Sequence, residues 1–185
     1  MKSKSLEKYL LSKYELEKIE DLNLEVVEEL LLNKIEHNNE ADYDFRDFEK
    51  FKNLKYLSLQ NFKINNYETN ELSRCKKISA IQFSNCNFNS KSRLSGNIKV
   101  VSFNNCKGVK IKYLSLLRKL EVFKVSNFKS INLKDANLYL KNLEKICIEN
   151  TKIYNFSALE GLNKLVSIEL INCKWKNRGK NERRI

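Results

Sequence analysis

The sequence predicts an α/β solenoid: an arc of stacked repeats with a parallel concave β-sheet of six to seven strands and an N-terminal helical cap. Three observations predict it. A hydrophobic template recurs six times between residues 54 and 170, an asparagine follows each copy at a fixed distance, and some connecting segments show helical spacing. A repeat cannot bury its apolar face alone, so neighbouring copies must stack around a shared core.

The template reads apolar-x-x-apolar-x-apolar, and its copies start 24, 20, 22, 23 and 22 residues apart. The six copies are Leu54/Leu57/Leu59, Ile78/Ile81/Phe83, Ile98/Val101/Phe103, Leu120/Phe123/Val125, Leu143/Ile146/Ile148 and Leu165/Ile168/Leu170. Alternate side chains of a strand point to opposite faces. The second and third apolar residues of each copy therefore point together into the predicted core.

An asparagine lies two residues after the third apolar position in every copy, at Asn61, Asn85, Asn105, Asn127, Asn150 and Asn172. Asparagine tolerates left-handed backbone geometry, so we expect it at a corner where the chain leaves the strand. The next residue is Cys, Phe or Thr. We expect Cys86, Cys106 and Cys173 to be buried thiols, and no histidine accompanies them to form a metal site.

This pattern resembles that of leucine-rich repeat proteins, L-x-x-L-x-L-x-x-(N/C)-x-L, across residues 41–175. Residues 151–165 are similar to the short repeats of internalin-like bacterial proteins. The chain departs from the family pattern because Cys, Phe or Thr fills the usual asparagine position and the asparagine comes one residue earlier. The resemblance implies a concave sheet that binds partners, and it carries over no catalytic residue.

The chain divides into an acidic helical N-terminal cap (1–40), a repeat domain (41–175) and a basic C-terminal tail (176–185). Apolar spacing predicts helices over 4–18 and 24–36 and helical connections over 111–119, 133–140 and 156–162. Residues 89–97 predict a loop, and Trp175 is expected to cover the last repeat. In an alternative alignment, residues 32–53 match 143–164, which predicts a degenerate seventh repeat that begins near Leu32 with His37 inside.

Charge is distributed unevenly along the chain. The net charge is +12, yet residues 1–50 carry 8 basic and 14 acidic residues, whereas residues 72–120 carry eleven basic residues and no acid. Such asymmetry favours a negatively charged partner, and a solvated basic surface is the alternative. Lysine also follows the Cys, Phe or Thr position in five of six copies. This basic edge comprises Lys63, Lys107, Lys129, Lys152 and Lys174.

The exposed strand positions give a second candidate surface, the concave face of the sheet. Its mixed polar character favours a protein partner over uniform attachment to phosphate. Ala80, Val100, Val122 and Val166 are expected to form a modest apolar ridge on it. The candidate partner-binding residues are Tyr56, Gln60, Gln82, Val100, Asn104, Val122, Lys124, Lys145, Glu149 and Glu169.

These features predict a non-catalytic binding module, an inhibitor or adaptor that grips a protein through the concave sheet and the basic edge. The alternative is binding to nucleic acid or to a nucleoprotein complex such as an RNA-guided nuclease, through the basic edge and region 72–120. One histidine and four glycines give no catalytic, metal or cofactor site. We expect a cytoplasmic location, because no segment is apolar enough to span a membrane and five cysteines suggest reduced thiols. We also expect a monomer.

Overall fold

A computed structural model describes residues 1–34, 43–176 and 183–184. The α-helices are α1 (Lys4–Tyr14), α2 (Asn66–Leu72) and α3 (Ala136–Tyr139), and the 3₁₀ helices are Ile19–Asp21, Leu24–Val26, Phe45–Lys50, Ile111–Leu114 and Phe156–Gly161. The strands are β1 (Glu29–Asn33), β2 (Tyr56–Gln60), β3 (Lys63–Ile64), β4 (Ala80–Ser84), β5 (Asn87–Phe88), β6 (Val100–Asn104), β7 (Val122–Ser126), β8 (Ile131–Asn132), β9 (Lys145–Glu149), β10 (Lys152–Tyr154), β11 (Ser167–Ile171), β12 (Lys174–Lys176) and β13 (Arg183–Arg184).

Seven strands form one parallel sheet in the order β1-β2-β4-β6-β7-β9-β11. Each strand pairs with its counterpart in the next repeat without a shift, so Leu57 lies opposite Ile81 and Leu59 opposite Phe83. The inward-facing residues form a continuous core in which Phe83 stacks on Phe103 at 5.4 Å and 11°. The α/β solenoid predicted from the hydrophobic template is therefore confirmed.

The six predicted asparagines turn the corners after the strands. All six have a left-handed backbone, with φ between 49° and 65°. Their side chains also connect neighbouring repeats: the Asn172 amide donates to Asn150, and the Asn150 amide donates to Asn127. Asparagine suits this corner because it adopts positive φ at low cost and its side-chain NH2 can donate to the preceding repeat.

Behind four of the six corners a cysteine or threonine is buried and donates to backbone carbonyls. The thiol of Cys86 donates to the carbonyls of Leu59 and Ser84, at 3.3 and 3.4 Å. Cys106 and Cys173 make the same two contacts in their repeats. The Thr151 hydroxyl makes one of them, by donating to the carbonyl of Glu149. The three thiols are buried as expected.

Short helical segments form the side opposite the concave sheet. The three predicted helical connections appear as the 3₁₀ helices Ile111–Leu114 and Phe156–Gly161 and the single turn α3. Helix α2 was not predicted, although its capping box is visible in the sequence as Asn65 and Glu68, three residues apart. Residues 89–97 form a loop, as expected.

The prediction for the N-terminal region is partly wrong. Helix α1 begins where expected but ends at Tyr14, because Glu15 takes a left-handed conformation. The second predicted helix, 24–36, is replaced over its described residues 24–34 by a 3₁₀ turn and by β1, whose residues Leu30 and Leu32 are buried on one face. Alternating burial has the period of a strand, and this strand extends the sheet into the segment assigned to the cap.

A seventh repeat exists, but its strand begins earlier than the alternative alignment proposed. Leu30 and Leu32 pair with Leu57 and Leu59, so the first copy of the template is Val27/Leu30/Leu32. The proposed positions Ile35, His37 and Asn39 lie outside the described residues. The second half of the alignment is confirmed, because Phe45, Phe48 and Phe51 are buried in and after a 3₁₀ helix like that at Phe156–Gly161.

A buried carboxylate fastens the N-terminus to this first repeat. The backbone N–H groups of Lys2 and Ser3 donate to Asp47 Oδ2 at 2.8 and 2.7 Å, and Lys50 Nζ lies 2.6 Å from Oδ1. Burial alone would raise the pKa of Asp47, but Lys50 and the two N–H groups outweigh it and lower the pKa. Ser3 in turn caps α1 by accepting from the Leu6 N–H.

Candidate partner-binding surfaces

The outward-facing strand residues form three rows across the concave face. The first row runs through Tyr56, Ala80, Val100, Val122 and Lys145. The second runs through Ser58, Gln82, Ser102, Lys124, Cys147 and Glu169, and the third through Gln60, Ser84, Asn104, Ser126, Glu149 and Ile171. All ten residues predicted for this face therefore lie on it, in adjacent strands.

The predicted apolar ridge contains three of its four expected members. Ala80, Val100 and Val122 are direct neighbours in the first row. Val166 does not join them, because Ser167 occupies the corresponding place on β11. Val166 precedes the strand, in the same place as Glu144, and its side chain is exposed.

Polar residues near the start of the face are ordered by their neighbours. The Tyr56 hydroxyl donates to Gln82 Oε1 at 2.9 Å, and Gln82 Nε2 lies 3.3 Å from Ser84 Oγ. Asn104 Oδ1 accepts from Ser126 Oγ and from the Asn127 amide. These bonds hold side chains of neighbouring repeats in fixed positions before any partner binds.

A shallow depression of about 240 Å³ lies near the C-terminal end of the face. Lys124, Glu149 and Glu169 line it together with Cys147, whose thiol donates to Glu169 Oε2 at 3.1 Å. Burial and Glu169 raise the pKa of Cys147, while Lys145 and Cys147 lower the pKa of Glu169. The thiol is therefore protonated at neutral pH, which favours hydrogen bonding over nucleophilic chemistry.

Several basic residues of the concave side have acidic partners from neighbouring repeats. Lys55 lies 2.6 Å from Glu28, Lys99 lies 2.8 Å from Glu121, and Lys145 pairs with Glu169. These pairs are exposed and each contributes little to stability. Their main effect is to leave the face with local charge balance.

One strand of this surface was not predicted from the sequence. Glu29, Leu31 and Asn33 on β1 lie beside Tyr56, Ser58 and Gln60, and Leu31 is exposed. The signal was present, because Val27, Leu30 and Leu32 match the template. The helical periodicity of the surrounding segment masked it.

The basic edge follows the corners, with one local irregularity. Lys63 lies opposite Asn87, Asn87 opposite Lys107, and Lys152 opposite Lys174. Lys129 is displaced, because Ile131 pairs with Ile153 and places Ser130 opposite Lys152. Lys107 and Lys129 nevertheless line one groove of about 320 Å³.

The basic edge differs from the concave face in its charge balance. Lys63, Lys107, Lys129 and Lys174 are exposed, and none takes part in an ion pair among the described residues. Lys152 is half-buried, with its ammonium 5.5 Å from the centre of the Tyr154 ring. Lys63, Lys107, Lys129 and Lys174 therefore carry positive charge that no ion pair balances among the described residues.

The acid-free region 72–120 is partly neutralised by residues outside it. Arg74 lies 3.3 Å from Glu71 and 3.8 Å from Glu49, and Lys99 pairs with Glu121. Lys110 and Lys112 remain beside a groove of about 300 Å³ that also contains Lys134 and Asp135. Proximity across repeats therefore reduces the charge asymmetry that the linear sequence suggests.

Neither a metal centre nor a membrane span is found in the part of the chain that the structure describes. No three His, Cys, Asp or Glu side chains there are grouped to hold a metal ion. No helix within those ranges combines the length and the apolar character needed to cross a bilayer.

The chain is similar in structure to internalin C2 from Listeria monocytogenes, with a TM-score of 0.54 and 16% identity over 96% of this chain and 87% of that chain. Internalin F from the same organism gives a TM-score of 0.34 and 14% identity over 94% of this chain and 70% of its own. No family model and no curated protein matches the chain. The likeness to internalin C2 shows the fold, in agreement with the repeat pattern.

Proposed function

With the leucine-rich repeat fold as premise, we propose that this chain is a non-catalytic module that grips a protein partner through its concave sheet, as an inhibitor or adaptor. One observation carries the proposal. The concave face offers three rows of ordered polar and small apolar side chains, with cross-repeat ion pairs that balance charge along it. Protein interfaces combine such a weakly apolar centre with a polar rim.

The residues proposed to contact the partner fall into two groups. Tyr56, Gln82, Val100 and Val122 form the centre, where an aromatic ring and two valines provide apolar contact beside a fixed hydrogen-bonding pair. The polar rim contains Gln60, Asn104, Lys124, Lys145, Glu149 and Glu169. A few well-packed residues near the centre of an interface, aromatic ones above all, usually contribute most of the binding energy, so substitutions there should have the larger effect.

The test is affinity capture from lysate of the source cells with the immobilised chain, followed by mass spectrometry. The double substitution Val100→Asp and Val122→Asp should remove the specific partner. Leu138→Asp is the matched control, because Leu138 is an exposed apolar residue on α3. The proposal fails if the captured proteins are the same for wild type, the double variant and the control.

A second candidate function is binding to nucleic acid or to a nucleoprotein complex through the basic edge. The specific observation in its favour is the lack of ion pairs at Lys63, Lys107, Lys129 and Lys174 among the described residues. A polyanion would relieve the repulsion between these lysines. Against it, Tyr56 is the one aromatic residue in the three rows of the described sheet on which a base could stack.

Fluorescence anisotropy with labelled RNA and DNA at several salt concentrations tests this candidate. Replacing Lys63, Lys107, Lys129 and Lys152 with Glu should weaken binding. The slope of log affinity against log salt concentration should also become shallower, by about 0.7–0.9 for each phosphate that is no longer bound. A control with the exposed residues Lys8, Lys18, Lys141 and Lys164 changed to Glu has the same net charge and leaves both the basic edge and region 72–120 intact. Equal weakening in both variants, or no binding by wild type, would exclude a specific basic edge.

A further inference from the structure

The two ends of the seven-stranded sheet are closed to different degrees. At the N-terminal end α1 lies against β1, with Leu6 and Leu10 fully buried. The Leu31 N–H on the outer edge of β1 donates to the Tyr9 hydroxyl at 3.3 Å, and Lys13 Nζ donates to the Glu29 carbonyl at 3.0 Å. Helix α1 thus covers the apolar end and also satisfies backbone groups of the edge strand.

The opposite end, at β11, is open among the residues that the structure describes. No strand pairs with the outer edge of β11 in the described chain. Ile168 is 46% exposed although the corresponding Ile146 in β9 is fully buried, and Val166 and Ile171 are 86% and 53% exposed. Several large apolar residues at this end are therefore only partly shielded from water, which is costly for a stable fold.

The backbone of β11 has bonding groups directed away from the sheet. The Ser167 N–H donates to Glu144, and the Ile171 carbonyl accepts from the Asn150 N–H, so both residues face β9. Because successive residues of a strand alternate in direction, the N–H and carbonyl groups of Ile168 and Leu170 face outward. Another β-strand is the natural partner for such a row of donors and acceptors.

The described part of the C-terminal tail lies elsewhere. Arg183 and Arg184 form β13, which pairs antiparallel with β12 at the corner layer, opposite Trp175 and Lys174. Trp175 packs against Phe156 with ring centres 5.6 Å apart, as expected for a residue that covers the last repeat. These contacts shield the corner side of the end, and no described part of the tail covers the edge of β11.

We propose that β11 is the interface through which two copies of this chain associate end to end. The β11 strands would pair antiparallel about a twofold axis and join two seven-stranded sheets. The same end of a second copy supplies a strand that can pair with the backbone of Ile168 and Leu170, and it also supplies an apolar layer behind that strand. A single extended peptide would supply only the strand.

The closed N-terminal end limits this association to a dimer. Helix α1 occupies the edge of β1, so copies cannot stack head to tail, and an interface between identical surfaces closes after two copies. The proposed dimer differs from the monomer that the sequence analysis expects.

Side-chain chemistry selects the register of the paired strands. A twofold axis at Glu169 would place two carboxylates side by side, which destabilises a sheet. An axis at Ile168 instead places Glu169 opposite Ser167 of the other copy and brings the two Ile168 residues together. In hydrogen-bonded antiparallel pairs the Cα atoms are about 5.5 Å apart, a distance that a disulfide can bridge.

Sedimentation velocity of the full chain over a concentration series tests the dimer. We expect a species of twice 21.9 kDa that dissociates on dilution. Val166→Asp or Ile171→Asp should each weaken it by about tenfold or more. The controls are Val26→Asp and Leu138→Asp, two residues that are each 58% exposed and lie away from β11.

A crosslink tests the register independently of these substitutions. In a Cys147→Ser background, Ile168→Cys should form an intermolecular disulfide under mild oxidation, and Ile171→Cys should not, because its copies lie far from the axis. Circular dichroism should show that every variant remains folded. A monomeric wild type at all concentrations, equal weakening by edge and control variants, or equal crosslinking at both positions would overturn the proposal.

Discussion

The corner asparagines allow a quantitative test of why this sequence forms a solenoid. Asn127 has φ 60°, and its amide group donates to Asn104 Oδ1 at 2.8 Å and accepts from the Asn150 amide at 2.9 Å. Its backbone N–H donates to the Glu149 carbonyl at 3.1 Å. Two substitutions separate these contributions: Asn127→Ala removes the amide and keeps a Cβ, whereas Asn127→Gly removes both.

The expected free energies follow from the geometry. An alanine in left-handed geometry costs about 1–2 kcal/mol. Two exposed side-chain hydrogen bonds contribute about 0.5 kcal/mol each, the low end of the usual range. We therefore expect Asn127→Ala to lower the free energy of unfolding by about 2 kcal/mol and Asn127→Gly by about 1 kcal/mol.

Urea unfolding followed by circular dichroism measures both values, and thermal unfolding should show a shift of about 2–4 °C per kcal/mol for a chain of this size. Asn163→Ala is the control, because Asn163 is exposed in a turn and has no positive φ. We expect that control to change the free energy by less than about 0.5 kcal/mol. If Asn127→Ala is as stable as Asn127→Gly, left-handed geometry does not explain the asparagine at the corner.

Three further predictions concern other parts of the fold. The pKa of Asp47 is lowered in the folded chain. The stability that its charged carboxylate contributes is therefore present above the ordinary Asp pKa and is lost as pH falls through the pKa of the folded chain. Asp47→Asn should lower the free energy of unfolding by about 2 kcal/mol at pH 7 and by much less near pH 2; equal losses at both pH values in urea unfolding would contradict this. A Cβ on Gly108 would lie 2.1 Å from a backbone oxygen, whereas one on Gly96 meets nothing within 4 Å. Both glycines have positive φ. Thermal unfolding should therefore show that Gly108→Ala lowers the free energy of unfolding by about 2 kcal/mol more than Gly96→Ala does. Comparable losses of stability in the two variants would show that the close approach is unimportant. Four of the five thiols are buried, so Ellman's reagent should label one thiol slowly in the native chain and none in Cys147→Ser; faster labelling of several thiols would contradict the burial.

The candidate surfaces could be predicted as far as the repeat extends. Val100 and Val122 lie 22 residues apart and occupy the same position of the template, so their adjacency follows from the period alone. The concave rows and most of the basic edge were predictable for the same reason. The displacement of Lys129 arises because the segment before Ile131 is one residue longer than its neighbour before Ile153.

Contacts that do not repeat could not be predicted in this way. The segment around Val27 has apolar residues at helical spacing as well as the strand template, and burial of Leu30 and Leu32 against β2 favours the strand. The ion pair between Lys99 and Glu121, by contrast, joins equivalent positions of adjacent repeats, 22 residues apart, so the proximity of the two side chains does follow from the period. Its effect is to balance charge where the sequence suggested an excess.

The sequence by itself determined the period, the inward residues and the corners, because each depends on local geometry and on contacts between equivalent positions. The tertiary structure decided which edge strands of the sheet are covered: α1 covers the edge of β1, and the edge of β11 remains open within the described chain. The physical reason is that a repeat specifies its own neighbours, while the first and last copies each lack one. What covers them depends on segments outside the repeat, whose positions the period does not determine.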